Sequence, residues 1–285
     1  MLGTVTRKVL KTILSDTARQ RILTVERVHR EGGLFDTDSI FYRCVGTVVT
    51  WGTGSRVHSG PFAGMRYIQH ALGVHSSAYC PKLLGTYEQE LHPLVEALRT
   101  GHPYAHVINI GAGEGYYAIG FARCLPQSRV TAYEADAESR VILGRMAEIN
   151  GVAPRLTIRE SCTPSGLQAA MAQPGKTWIV CDVEGAEQEL LDPVAIPALT
   201  RADILVELHD FLIPGISGVI RKRFENTHQI TEIPALPRQL ADWPSSLSLP
   251  KVYRRTALSE YRPGGMCWFW MKAAGNAVLA VAHAD

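Results

Sequence analysis

From His106 onward the chain alternates short apolar runs with amphipathic stretches. Val-Ile-Asn-Ile at 107–110, Val-Thr-Ala-Tyr at 130–133, Leu-Thr-Ile-Arg at 156–159, Trp-Ile-Val-Cys at 178–181 and Ile-Leu-Val-Glu at 204–207 read as strands, and 228–233 as a sixth. Residues 115–125, 136–149 and 164–172 carry helical spacing, the second stretch closing at Asn150-Gly151. Strand alternating with helix, joined by right-handed crossovers, predicts an open, mainly parallel sheet covered on both faces. A last strand, Met-Cys-Trp-Phe-Trp-Met at 266–271, must rejoin that sheet after 234–263. This intervening stretch has five prolines and little periodicity, and reads as a long functional loop.

The first part of the chain lacks that rhythm. Val5, Val9, Ile13, Ile22, Val25 and Val28 recur at roughly helical spacing, and Gly32-Gly33 ends the region. Residues 39–53, rich in β-branched and aromatic side chains, read as a strand or β-hairpin. A glycine- and aromatic-rich passage follows at 60–67, and 88–99 reads as a helix closed by Gly101. The expected division is an N-terminal extension, 1–80, serving as substrate cover or oligomer contact, and a main domain, 81–285.

Composition narrows the classes. With 285 residues, 46% of them hydrophobic and 20% charged, the chain suits one large α/β domain or a core with an appendage. A net charge of +2 gives no nucleic-acid signal over the whole surface. The basic cluster in residues 1–30 reads as solvated surface. Six scattered cysteines with no CxxC pair argue against a structural zinc or a disulfide framework, and fit a reducing compartment. Charge interrupts the apolar start too soon for a signal peptide, and no stretch approaches the roughly 18 apolar residues of a membrane span. The expected location is cytoplasmic.

The chemistry begins at the first strand of the alternating region. Ile-Gly-Ala-Gly-Glu-Gly at 110–115 is a strand running into a GxGxG turn and a helix, which lets a ligand approach bare backbone and unpaired N–H groups. Gly111, Gly113 and Gly115 are its glycines. The dinucleotide fingerprint wants glycine at 116, where Tyr116 stands. Glu134 follows Gly111 by 23 residues, directly after the second strand, where a carboxylate can accept from both hydroxyls of a ribose. By position after the third strand, Glu160 or Ser161 could reach an adenine edge. The fourth strand then ends in Asp-Val-Glu-Gly-Ala-Glu at 182–187, with Asp182 at the carboxyl edge where open α/β sheets bind ligands. Glu187 reads only as a complement to a helix dipole.

These motifs resemble the FkbM-type S-adenosylmethionine (SAM)-dependent methyltransferase family. The resemblance is carried by Ile-Gly-Ala-Gly-Glu-Gly-Tyr-Tyr at 110–117, Tyr-Glu at 133–134 and above all Asp-Val-Glu-Gly-Ala-Glu at 182–187. Val-Glu-Leu-His at 206–209, the approach to the last strand at Glu260, and Gly-Thr-Tyr-Glu at 85–88 are also similar. It spans roughly residues 82–272, and Glu114 stands where the family usually has asparagine. The resemblance implies a Rossmann-like class I methyltransferase fold with a mostly parallel seven-stranded sheet. It implies S-adenosyl-L-methionine as cofactor and methyl transfer to an oxygen of a small molecule such as a sugar or natural product. The cofactor set then comprises Glu88, Gly111, Gly113, Gly115, Tyr116, Glu134, Ser161 and Asp182.

Methyl transfer to a hydroxyl needs positioning and removal of a proton. His209 is the base by residue type, with Asp182 as the alternative. Asp182, Glu184, Glu207 and His209 could together hold a hard divalent ion, though their spacing is no metal motif and no metal is assigned. In the 234–263 stretch, Tyr253, Arg254 and Arg255 are the substrate candidates, suiting an anionic small acceptor such as a glycosyl phosphate or nucleotide-linked sugar. Self-association is left open. Two other classes remain: a Rossmann-type oxidoreductase or epimerase, which lacks a Tyr-x-x-x-Lys dyad here, and a non-catalytic SAM-fold binding module.

Overall fold

The computed structural model describes residues 40–68, 78–101, 104–260, 262 and 265–275. The expected helices of residues 5–30 lie outside the described residues. Among the described residues the sheet has seven strands: β1 (Tyr104–Ile110), β2 (Arg129–Tyr133), β3 (Leu156–Arg159), β4 (Lys176–Cys181), β5 (Asp203–Leu208), β6 (His228–Pro234) and β7 (Cys267–Ala273). Their order is β3-β2-β1-β4-β5-β7-β6. Pairs among β1 to β5 are parallel, while β7 runs antiparallel between β5 and β6. The mainly parallel, seven-stranded α/β sheet expected from the sequence is therefore the one observed.

Among the described residues the α-helices are α1 (Ile40–Gly52), α2 (Tyr79–Leu84), α3 (His92–Gly101), α4 (Tyr116–Cys124), α5 (Ala137–Ile149), α6 (Pro164–Met171), α7 (Glu187–Leu190), α8 (Ile216–Phe224) and α9 (Lys251–Leu258). The local signals are ordinary ones. Asp136 caps α5 by accepting from the Ser139 N–H at 2.7 Å, and Thr163 caps α6, with Pro164 opening its first turn.

One expectation fails. Residues 39–53, read as a strand or β-hairpin, contain α1 instead. Tyr42, Val45 and Val49, three and four apart, are buried, while Val48 and Trp51 face outward with Trp51 87% exposed. The β-branched residues misled because a short apolar run does not by itself separate helix from strand; burial of one helical face decided it. Two further segments are finer-grained than expected. A 3₁₀ turn at Gln89–Leu91 precedes α3, and the 234–263 stretch carries a 3₁₀ turn (Leu240–Asp242) and α9.

The sheet is apolar on both faces. On one side Val107, Val180 and Leu205 pack with Phe121, Trp178 and Trp268; on the other Ile108, Ile110, Ile179 and Val206 pack with Leu199, Ile220 and Phe224. The first cluster also includes Tyr42, Val45, Val49, Phe62, Met65 and Tyr67, so residues 42–67 share the core of the sheet. At the amino edge, fully buried Asp203 accepts from Tyr104 Oη at 2.5 Å and from the Ala273 N–H at 2.9 Å, and Lys176 Nζ lies 2.6 Å away. One carboxylate thereby ties β1, β4, β5 and β7 together.

The register decides what the carboxyl edge presents. Ile110 pairs with Tyr133 and with Cys181, and Cys181 pairs with Val206. The next residues, Gly111, Glu134, Asp182 and Glu207, therefore share one row. Strand order reverses between β1 and β4, the position where open α/β sheets form a crevice.

Gly111 makes this arrangement testable. It has φ +80°, and a Cβ there would lie 1.6 Å from the Asp182 carbonyl oxygen. Gly113 also has positive φ (+54°), yet a Cβ there would meet nothing within 4 Å. Gly113→Ala should cost about 1–2 kcal/mol, the left-handed penalty alone. Gly111→Ala should cost about 4 kcal/mol or more, because backbone must move. Urea unfolding of the two variants measures the difference, and equal costs would refute the close approach.

Candidate active site

The glycine loop is held by backbone bonds to its neighbouring strand. The N–H groups of Gly111 and Ala112 both donate to the Tyr133 carbonyl, at 3.0 and 2.9 Å. Gly113 N–H donates to Glu134 Oε2 at 2.7 Å, and Asp136 N–H donates to Glu134 Oε1 at 2.8 Å. Each carboxylate oxygen keeps a further lone pair for a hydroxyl donor. Burial pushes the Glu134 carboxyl pKa above its ordinary value, against the lowering pull of those two N–H donors. The space above Gly113 is open, so the loop offers bare backbone beside an acceptor carboxylate.

Beneath the loop, Glu114 turns inward. It is 6% exposed and forms an ion pair with Lys82 Nζ at 2.6 Å, while Tyr67 Oη donates to the same Oε1. Burial alone would raise the Glu114 carboxyl; the Lys82 ammonium and the Tyr67 hydroxyl outweigh it and hold the pKa below the usual value. Lys82 also lies over the rings of Tyr87 and Tyr116. Tyr116 itself is buried among Phe62, Tyr87 and Tyr117. The residue that breaks the dinucleotide fingerprint is thus a packing residue at the start of α4.

The second group of residues lies at the ends of β4 and β5. Asp182 follows β4 with its side chain 31% exposed; Glu207 and His209 are each 2% exposed. His209 Nδ1 lies 2.6 Å from Glu187 Oε1. Glu187 is fully buried and also accepts from the Gly185 N–H at 3.1 Å. It is no surface complement to a helix dipole: α7 is a single turn, and the carboxylate points into the protein at His209. The sequence offered one usable signal for this, the buried strand bearing His209 directly after the acid-rich one. Burial alone would lower the His209 pKa, but the hydrogen bond and charge of Glu187, joined by Asp182, carry it up to about 9. Glu184 has φ +52°, so it continues no helix with Glu187.

Behind Glu207 sits a partly buried arginine. Arg262 Nη1 lies 2.6 Å from Glu207 Oε1, Arg262 Nη2 pairs with Glu88, and Arg262 Nε lies 3.2 Å from Glu260 Oε2. Glu88 is fully buried, with φ +46°, and its second oxygen accepts from Tyr117 Oη. Each of its carboxylate oxygens therefore has a partner within the protein, and Arg262 joins it to Glu207. Arg238 pairs with Glu90 and lies 3.2 Å from Glu260 Oε1. Burial pushes the Glu260 carboxyl up to about 8 despite Arg238.

The candidate substrate residues divide. Arg254 Nε donates to the Leu249 carbonyl at 2.5 Å and its guanidinium lies over Trp243. Arg255 is exposed, and Tyr253 is 37% exposed. Arg238 and Arg262 are thus paired with buried carboxylates, whereas Arg254, among the described residues, meets only neutral groups and Arg255 remains exposed. Ser161 lines, with Glu160, one end of a cleft of about 850 Å³ between β2, β3 and α6.

Among the described residues, no helix is long and apolar enough to cross a membrane. No family model matches the chain, and no curated protein matches its sequence. Solved structures do resemble it. A precorrin-6y C5,15-methyltransferase from Geobacter metallireducens is 19% identical over 45% of this chain, with a TM-score of 0.35; the match covers 66% of that protein, just under two thirds. An O-methyltransferase of tomaymycin synthesis from Streptomyces achromogenes, crystallised with SAM, is 13% identical over 70% of this chain and 89% of its own, at 0.42. An rRNA methylase from Streptococcus thermophilus is 10% identical over 66% and 98%, at 0.44. All three scores are below 0.5, and each likeness is distant.

The Lys82–Glu114 pair gives a prediction for the loop's support. Lys82→Met strands a buried carboxylate and should destabilise by about 3–5 kcal/mol, whereas Lys82→Met/Glu114→Gln should recover at least half of that. Because Glu114 titrates below its ordinary value, its contribution is complete above the unfolded pKa and is lost as pH falls through the folded one. The gap between wild type and the double variant in chemical denaturation should therefore narrow on acidification below the usual carboxylate range. A gap that is constant with pH would refute the ionised pair.

Proposed function

We propose that this chain is an S-adenosylmethionine-dependent methyltransferase of FkbM type that methylates a hydroxyl oxygen of a small molecule, such as a sugar, a nucleotide-linked sugar or a natural product. One juxtaposition carries the reading: the glycine loop, Glu134, Asp182 and Glu207 stand in one row at the sheet's switch point, with His209 two residues beyond. The residues suit the cofactor. Gly113 leaves 4 Å of clear space where a side chain would stand, and Glu134 retains acceptor capacity for ribose hydroxyls. Gly111, Gly113 and Gly115 would lie along its methionine end, with Ser161 toward the adenine.

When bound, S-adenosylmethionine supplies a methyl group on a positively charged sulfur, activated for in-line displacement by an oxygen nucleophile. The chain's task is then to hold the acceptor hydroxyl in line and to relieve it of its proton. Asp182 and His209 are the groups that face this position. Glu187 fixes the imidazole through Nδ1, so that Nε2 is the atom turned toward Asp182 and Glu207. Glu88, Tyr116 and Arg262 serve beneath the site, by packing and charge balance. Tyr116 in the third glycine position works against a dinucleotide, since that glycine allows close helix–strand packing over a pyrophosphate.

Calorimetry should detect SAM or S-adenosylhomocysteine and no comparable affinity for NAD; a preference for NAD would overturn the reading. Glu134→Ala should weaken SAM binding by ~1.5–3 kcal/mol, the range for hydrogen bonds to a charged group. With an acceptor in hand, Asp182→Ala and His209→Ala should each reduce kcat by about 100-fold or more while SAM affinity changes little. Wild-type turnover in both variants would move the chemistry elsewhere.

A further inference from the structure

Asp182, Glu207 and His209 come from two strands and converge on one point: one donor atom from each lies within 4.8 Å of the others. His209 Nε2 is 3.6 Å from Asp182 Oδ1 and 3.7 Å from Glu207 Oε2. Those separations are too long for hydrogen bonds. They match two ligands of one divalent ion, which at bond lengths of roughly 2.0–2.4 Å stand about 3–4 Å apart.

Three independent observations point to a ligand between them. First, His209 is 2% exposed, its Nδ1 is committed to Glu187, and its Nε2 makes no hydrogen bond to a described residue. A carboxylate on the far nitrogen is the arrangement that orients a metal-binding imidazole and raises its basicity. Second, Arg262 takes Glu207 Oε1, which leaves Oε2 as the atom turned to the cluster. Third, a carboxylate oxygen of Asp182 and one of Glu207 lie within 4.8 Å of each other, a like-charge approach that a cation between them would relieve. Asp182, with its side chain 31% exposed, supplies the entry path.

We propose that Asp182, Glu207 and His209 bind a divalent cation, with Glu187 as the positioning residue for His209. Two carboxylate oxygens and one imidazole suit manganese, magnesium or zinc better than a soft ion, and leave open positions for water or an acceptor oxygen. The site deepens the methyltransferase reading, because an ion there would lower the pKa of a hydroxyl placed in the methyl path. Binding of the ion itself does not require that reading.

The full-length chain, stripped with a chelator and dialysed, is titrated with Mn2+ while free ion is followed by electron paramagnetic resonance. One ion per chain is expected, with binding at least tenfold weaker in Asp182→Asn and in His209→Gln. Glu187→Gln should bind 10- to 100-fold more weakly although every ligand is retained, and Glu187→Asp should restore part of the loss. Circular dichroism identifies a variant that fails to fold. A variant-free arm then remains: Co2+ added to the wild type should give visible absorption characteristic of nitrogen and oxygen ligands, quenched by Zn2+ competition. No saturable site below about 1 mM Mn2+, or no Co2+ spectrum, overturns the proposal. Calorimetry with SAM on the same stripped protein separates the two questions. Metal binding without SAM binding would sink the methyltransferase reading alone, and SAM binding without metal would sink this one alone.

Discussion

Everything at the carboxyl edge of the sheet depends on how closely β1 and β4 approach there. Gly111 lies so near the Asp182 carbonyl that no side chain fits between them. The Asp182 N–H in turn donates to the Ile110 carbonyl at 2.9 Å, so the contact is clamped from both chains. That single constraint puts the glycine turn and the acidic strand end at one crevice. It also makes the switch point of the sheet a site with bare backbone on one side and carboxylates on the other.

The second requirement is charge balance. Glu88, Glu90, Glu187, Glu207 and Glu260 are all largely buried near the site, an arrangement whose hydration loss is compensated by few cations. Arg262 bridges Glu88, Glu207 and Glu260, and Arg238 bridges Glu90 and Glu260. Planar guanidinium groups suit such shared roles, since each offers several donors in fixed directions. The acids deeper in the protein are neutralised in this way. Among the described residues, no arginine pairs with the outermost group, Asp182 with His209.

Much of this was legible in the sequence. Strand existence and order of appearance follow from the alternation of apolar runs, because both faces of a parallel sheet are buried and leave an unmistakable pattern. The glycine turn, Glu134, Asp182 and His209 stand at strand ends, where position alone suggests exposure to a ligand. Three things were not legible. Residues 39–53 had a composition that fitted either regular structure, and only packing against α2 and α9 selects helix. Glu187 was read as a surface acid, since nothing in a short acidic run tells which carboxylate turns inward. The ion pairs of Arg238 and Arg262 were hidden because their partners Glu88, Glu90 and Glu207 are remote in sequence.

The Arg262 bridge has a consequence for how the chain comes to fold. Its partners lie at positions 88 and 207, and it reaches them only as β7, the antiparallel strand between β5 and β6, is laid into the sheet. Arg262 and β7 are also the last of these elements to be synthesised. A nascent chain can therefore build β1 to β5 and the glycine turn while Glu88 and Glu207 still face each other without a counter-charge. Completion of the sheet by β7 thus also supplies the counter-charge that makes the facing carboxylates Glu88 and Glu207 electrostatically tolerable.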